Sequence, residues 1–116
     1  SFTGSLSKGP QPPDPLTVVF TSPAENGDVH YNIPVWIEVQ VSGGVGARSV
    51  HFQLFDGVVF DDAVPVNGMY GFYHTFLNHS VPNTYSVVPI RVQAYDSASQ
   101  ATPVVERLVR SFGPES

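Results

Sequence analysis

The sequence has 116 residues, 41% of them hydrophobic, which suits one domain with a single core. Ten acidic residues against five basic ones give a formal net charge of −5, which argues against nucleic acid and anionic membranes as partners. The absence of cysteine excludes a disulfide, a thiolate metal site and a cysteine nucleophile. No apolar run approaches the roughly 20 residues of a membrane-spanning helix, so membrane insertion is not expected.

The start of the chain differs in composition from the rest. Residues 1–15 are rich in Ser, Gly and Pro, and such a stretch buries little surface and stays extended. We predict a flexible linker over residues 1–15, one domain over residues 16–112 and a short tail over residues 113–116. The sequence has no initiator Met, and we expect it to be a piece of a longer protein.

The remainder predicts short strands separated by turns, because its hydrophobic residues alternate and its 10 Gly and 11 Pro are scattered. Ser22–Asp28 with its Asn-Gly pair is predicted as a turn. Asp61–Gly71 has no clear pattern, and Val64–Gly68 within it suggests a turn rather than a strand. The predicted strands, about seven as in a small sandwich, are Leu16–Thr21, Ile33–Val41, Ser49–Phe55, Val58–Phe60, Phe72–Leu77, Tyr85–Asp96 and Pro103–Phe112.

A period of two assigns the faces of these strands. The predicted inward sets are Leu16, Val18 and Phe20; Val35, Ile37, Val39 and Val41; Val50, Phe52 and Leu54; and Val88, Ile90, Val92 and Ala94. The sidedness of Phe72–Leu77 stays open because neither face is polar. Pro89 lacks an N–H donor, so we expect an interruption of strand pairing there, such as a bulge.

The last strand is the least regular. Arg107 shares a face with Val105 and Val109, which breaks a clean apolar period of two. A helical turn that groups Val105 with Leu108 and Phe112 is the alternative.

Several segments together resemble bacterial-type immunoglobulin-like domains. These are Phe20-Thr-Ser-Pro23 followed by an Asn-Gly turn, the strand Val35–Val41, the segment Ser49–Gly57, and Val92-x-Ala-x-Asp96. Ser97-Ala-Ser99 stands where the family usually has a glycine. Together with the spacing of the alternating strands, the resemblance predicts an all-β, immunoglobulin-like two-sheet sandwich whose connections suit a Greek key as well as a meander. Fibronectin type III and cadherin-like sandwiches share this pattern. The resemblance also implies a non-catalytic module of a multidomain extracellular or cell-surface protein, often beside a glycoside-processing catalytic domain.

Aromatic residues at outward positions are the candidate binding residues. They are Trp36, Phe55, Tyr73 and Tyr95, and Tyr70 lies beside them in the poorly patterned region. Such rings could stack on sugar rings, dock a neighbouring domain, or only cover the sheet. We therefore expect a spacer or docking module whose partners are neighbouring domains or another protein. The alternative is a carbohydrate-binding module with a glycan ligand.

No other residue pattern predicts a site. The acidic residues Asp56, Asp61, Asp62 and Asp96 lack the spacing of a calcium loop, and no histidine pair has zinc-ligand spacing. No nucleophile-elbow motif supports a serine triad. We therefore predict neither a cofactor nor a metal and no enzymatic activity. The sequon Asn78-His-Ser80 makes Asn78 a possible glycosylation site.

Overall fold

The structure is a computed structural model, and it describes residues 14–77 and 81–114. These residues form eight strands: β1 Thr17–Ser22, β2 Gly27–Val29, β3 Pro34–Ser42, β4 Arg48–Leu54, β5 Val59–Asp62, β6 Met69–Thr75, β7 Tyr85–Asp96 and β8 Val105–Phe112. Nothing in these two ranges forms a helix with the length and apolar character of a membrane span. Most of the predicted linker and the end of the predicted tail lie outside the described residues.

The strands form two packed sheets. One has three strands in the order β1-β3-β6, and the other has five in the order β2-β8-β7-β4-β5. Consecutive strands stay in one sheet only from β4 to β5 and from β7 to β8, and they change sheet at every other connection. Such crossings are the Greek-key pattern of immunoglobulin-like sandwiches. The predicted all-β sandwich is confirmed.

The core lies between the sheets and uses the inward residues that alternation predicts. Each strand of a sandwich presents every second side chain to the opposite sheet, so these residues leave water together. Ile37, Phe52, Ile90 and Ala94 are fully buried. Of the predicted inward residues, only Val35 falls outside the buried set, and it packs against the core from its margin.

Aromatic rings close the side of the sandwich where β5 and β6 are the outer strands. Phe60 of β5 stacks on Phe72 of β6, with ring centroids 4.5 Å apart, and Phe72 meets Phe52 edge-on at 5.1 Å. His74 continues the row and contacts Phe76 at 4.8 Å. The open sidedness of Phe72–Leu77 is thereby resolved, since Phe72, His74 and Phe76 face inward.

Two strand boundaries correct the sequence-based expectation. β2 falls within the stretch predicted as a turn, where the Asn26 N–H donates to the Leu108 carbonyl at 2.8 Å. Because β2 has only three residues, alternation cannot reveal it, and its partner β8 is distant in the chain. β6 begins at Met69, ahead of the predicted start at Phe72 and directly after the predicted turn, which Asn67 and Gly68 form with positive φ.

β8 is a strand and not a helical turn. Arg107, the residue that breaks its apolar pattern, packs at the margin of the core. Arg107 does lie on the same face as Val105 and Val109, at the margin of the core. Its guanidinium sits over the Phe20 ring, 5.3 Å from the centroid, and its Nε lies 3.6 Å from Glu25 Oε1. The period of two therefore holds, because Arg107 closes the sandwich where β8 meets β1.

The bulge expected at Pro89 is absent. β7 pairs with β8 through Pro89 without a change of register, and its pairing with β4 ends at Ile90. A shift of register occurs in β1 instead, between Phe20 and Ser22.

Candidate functional site

The structure brings together two of the four candidate aromatics. Trp36 of β3 and Tyr73 of β6 are direct cross-strand partners on the outer surface of the three-stranded sheet, which we call the three-stranded face. Their ring centroids are 4.9 Å apart with planes at 59°. Trp36 is 38% exposed and Tyr73 is 69% exposed. Both rings are thus available for contact with a partner.

The other two candidates lie elsewhere. Phe55 follows the last residue of β4 and is 59% exposed in the turn that leads to β5. Tyr95 lies on the outer surface of the five-stranded sheet, where its hydroxyl donates to Gln93 Oε1 at 2.8 Å. Tyr95 and the pair of Trp36 and Tyr73 therefore lie on opposite faces of the sandwich, and Phe55 lies on neither sheet.

Tyr70 does not belong with the exposed aromatics. It shares the inward side of β6 with Phe72 and is only 3% exposed. Its hydroxyl lies 3.4 Å from the Arg48 carbonyl, and burial is the main cause that raises the pKa of the phenol. Tyr70 is a core residue.

Trp36 is held in one orientation by its polar edge. The indole Nε1–H donates to Glu38 Oε2 at 3.0 Å, and Glu38 Oε1 accepts from the Thr21 hydroxyl at 2.6 Å. The hydrogen bond from Thr21, and after it the one from Trp36, lowers the pKa of the Glu38 carboxyl below its ordinary value. Glu38 is thus an ionised carboxylate directly beside the indole.

The indole lies over a glycine. A Cβ added to Gly71 would come within 2.9 Å of Trp36 Cζ2 and would also collide with the Ile37 carbonyl oxygen. No other residue fits there without a shift of the strand or of Trp36. The indole therefore packs directly on the β6 backbone at Gly71.

The connection from β5 to β6 forms a recess beside the indole. Asp62, the last residue of β5, accepts the Val64 N–H with Oδ1 at 3.0 Å and the Gly71 N–H with Oδ2 at 3.1 Å. These bonds hold the connecting segment along the outer edge of β6. The resulting cavity of about 450 Å³, here called the Trp36 recess, is lined by Trp36, Glu38, Asp62, Val64, Val66, Asn67, Met69 and Gly71.

The comparisons with known proteins bear on the fold. A solved structure described as fibronectin(III)-like modules of CbhA from Clostridium thermocellum superimposes on this chain with a TM-score of 0.60. The match covers 86% of this chain and 99% of that one, at 22% sequence identity. The fold is that of a fibronectin(III)-like module. No protein-family model and no curated protein matches the sequence.

Within this fibronectin(III)-like fold, the acidic residues are used in turns and pairs. Asp96 accepts N–H groups from Val45, Ala98 and Gln100, and so fixes the two loops at the end of β7. Asp61 contacts His51 at 2.6 Å. Residues 14–77 and 81–114 contain no group of three or more His, Cys, Asp or Glu side chains that could hold a metal ion. Asn78 and His79 lie outside the described residues.

A second recess of about 510 Å³ lies at the end of the sandwich where β8 finishes, lined by residues 30–33 and 113–114. It is the larger of the two, but its polar groups are those of a loop, and the His30 ring packs against Phe112 at 5.3 Å. The Trp36 recess is the better candidate because two carboxylates line it together with one ring of the exposed aromatic pair.

Sequence reasoning found Trp36 and Tyr73 but missed the rest of the recess. Glu38 follows Trp36 by two positions, so a period of two could have placed it beside the indole. Asp62 and Val64 belong to a different strand and its connection, and their position depends on how the chain crosses between sheets. A single glycine such as Gly71 breaks no hydrophobic alternation, so the sequence does not indicate that it lines a recess.

Proposed function

We propose that this chain is a non-catalytic accessory module that docks onto a neighbouring domain or another protein through the three-stranded face. The observation that carries this proposal is the exposed pair of Trp36 and Tyr73 beside the Trp36 recess. Large aromatic rings at a concave position are typical centres of protein contacts, because they bury much area at little entropic cost. The likeness to fibronectin(III)-like modules supports a modular role and an extracellular location.

A second candidate function is carbohydrate binding at the same place. It is favoured by the fixed orientation of Trp36, whose Nε1–H is tied to Glu38 at 3.0 Å. A fixed indole can stack on the C–H face of a sugar ring while nearby carboxylates accept hydrogen bonds from hydroxyl groups. The two candidates share the site and differ in the ligand.

The test uses the fluorescence of Trp36, which is the single tryptophan of the chain. The protein is titrated with the separately expressed domains that neighbour it in a longer chain, and with soluble oligosaccharides such as cellohexaose and xylohexaose. Docking predicts a change of Trp36 emission with a domain, whereas carbohydrate binding predicts it with a sugar. An emission spectrum that no domain and no sugar alters would contradict both.

Substitutions separate contact from stability. Trp36→Ala opens no core cavity, so we expect a stability loss of about 1–2 kcal/mol, the range of ordinary substitutions. Calorimetry should show that Trp36→Ala weakens partner binding by about 2 kcal/mol or more, as at an interface hot spot. Tyr95→Ala, on the other sheet, is the control and should leave binding unchanged. A large stability loss with unaltered binding would assign Trp36 a purely structural role.

A further inference from the structure

We propose that the Trp36 recess receives a basic side chain, Arg or Lys, from the partner protein. This inference rests on the docking role proposed above and names the chemistry of the partner. It follows from three features of the recess: unneutralised carboxylates, apolar walls and an aromatic ring.

The charges of the recess are not neutralised within the described residues. Arg91, Arg107 and Arg110 pair with Glu106, Glu25 and Asp28, respectively. Arg48 donates to the Gly43 carbonyl at 2.6 Å, and the two histidines in ion-pair contacts, His51 and His74, face Asp61 and Asp56. In residues 14–77 and 81–114, Glu38 and Asp62 therefore have no ion-pair partner. A cation would complement both of them.

Both carboxylates can accept further hydrogen bonds. Each oxygen of Glu38 and of Asp62 accepts one hydrogen bond within the protein. A carboxylate offers about four lone-pair positions, so acceptor sites remain on each group for a guanidinium or ammonium donor. The internal bonds fix the carboxylates in place, so little side-chain entropy is lost when a partner binds.

The walls suit the rest of a basic side chain. Trp36, Val64, Val66 and Met69 supply apolar surface for the methylene stem, which Arg and Lys bury readily while the charged head stays at a polar rim. The indole adds attraction between its ring and the cation. A neutral sugar could use the same ring but would leave both carboxylate charges uncompensated. The charges therefore favour a basic side chain.

The first experiment varies the ligand and leaves the protein unchanged. Capped Gly-Ser-X-Ser-Gly peptides, with X as Arg, Lys or citrulline, are titrated while NMR follows the Trp36 Nε1–H and Gly71 N–H resonances. We expect the Arg and Lys peptides to bind about fivefold or more tighter than the citrulline peptide, the effect of one partly exposed ion pair. Binding should weaken when salt is raised from about 0.05 M to about 0.5 M, which shortens the screening length.

The second experiment uses adjacent carboxylates as a matched pair. Asp62→Asn removes a negative charge that lines the recess. Asp61→Asn removes a negative charge that contacts His51 and does not line the recess. We expect the first to weaken the Arg peptide about fivefold and the second to have no effect. Equal binding of Arg and citrulline peptides, or equal effects of the two variants, would overturn the inference.

The outcomes also distinguish this inference from the docking role. If a neighbouring domain alters Trp36 emission as strongly after its own surface Arg and Lys residues are neutralised, docking stands and the basic side chain is wrong. If cellohexaose or xylohexaose shifts the two resonances and the basic peptides do not, the recess is a sugar site. If domains, peptides and sugars all leave Trp36 unchanged, the docking role and the inference fail together.

Discussion

Residues with positive φ explain why asparagine is common in the turns of this chain. Five non-glycine residues have positive φ in the described chain, and four are asparagines, which tolerate the left-handed region best: Asn26, Asn32, Asn67 and Asn83. The fifth is Ser99, at φ 66°, in the loop after β7. Ser99 falls in the segment that stands where the immunoglobulin-like pattern has a glycine, and it adopts a backbone conformation that glycine adopts without strain.

Ser99→Gly should therefore stabilise the protein. We expect a gain of about 0.5–1 kcal/mol in the free energy of unfolding, because glycine adopts positive φ without the Cβ penalty. Urea denaturation measures the gain. Ala98→Gly is the matched control in the same turn, at a position without positive φ, and should lose stability. A loss at Ser99→Gly would mean that its φ stores no strain.

Asp96 should give the protein an acid-sensitive contribution to stability. Burial disfavours the charged carboxylate, but hydrogen bonds from the Gln100 backbone and side chain, and then from Val45 and Ala98, outweigh it and lower the pKa of Asp96. Since the folded pKa lies below the unfolded one, the stabilisation is complete well above about pH 4 and is lost as pH falls through the folded pKa.

The matching variant is Asp96→Asn, compared with the unaltered protein by urea denaturation from neutral pH downward. The unaltered protein should be more stable at neutral pH, and the difference should shrink on acidification. A difference that stays constant down to about pH 2, below the usual range of Asp pKa values, would show that ionisation of Asp96 does not matter.

At the scale of elements, alternation along β4 makes a sharp prediction. Phe52 is fully buried and touches Phe72, whereas Phe55 is 59% exposed just beyond the strand. Phe52→Ala should cost about 3–5 kcal/mol because it opens a core cavity. Phe55→Ala should change stability by no more than about 0.5 kcal/mol. Chemical denaturation checks both, and a loss below about 1 kcal/mol at Phe52, under the range for buried Phe, would contradict the face assignment.

β8 offers a test of how Arg107 closes the sandwich. Arg107→Ala should lower the free energy of unfolding by about 1–2 kcal/mol, because the Arg107 side chain no longer packs over the Phe20 ring. Arg107→Met keeps the stem and removes a partly buried charge, so it should be nearly neutral. Arg91→Ala, which breaks only an exposed pair with Glu106, is the control. Thermal unfolding compares the three, and a Met variant as unstable as the Ala variant would show that the charge of Arg107, not its packing, stabilises the edge.

The sequence predicts strands with alternation well and their partners poorly. Val39, Val50 and Val92 face the core as expected, because a period of two is local information. The register that places Trp36 opposite Tyr73 depends on contacts between distant segments, and no local pattern encodes it. Asp62 reaches Gly71 only because the chain changes sheet between them. This is why the aromatic pair was predicted as two separate candidates and the recess was not predicted.

For the whole molecule, the sheet order predicts where the fold is most resistant to opening. β7 pairs on both sides, with β4 and with β8, whereas β5 is a short, exposed strand at the edge. Hydrogen exchange followed by NMR should find the slowest amides in β7, around Val92, and fast exchange at Val59 and Phe60. Equal protection of β5 and β7 would mean that this sandwich opens only as one unit.

The parallel pairing of β2 with β8 has a mechanical consequence. The chain enters β2 at one end of this ladder and leaves β8 at the opposite end, so a force that pulls these two points apart slides the two strands along each other. All hydrogen bonds of the ladder then bear the load at once, instead of breaking one after another as when a hairpin is unzipped. Resistance to such a force is set by the rate of unfolding rather than by equilibrium stability. The small strand β2 is thus the segment of the five-stranded sheet whose pairing is loaded in shear.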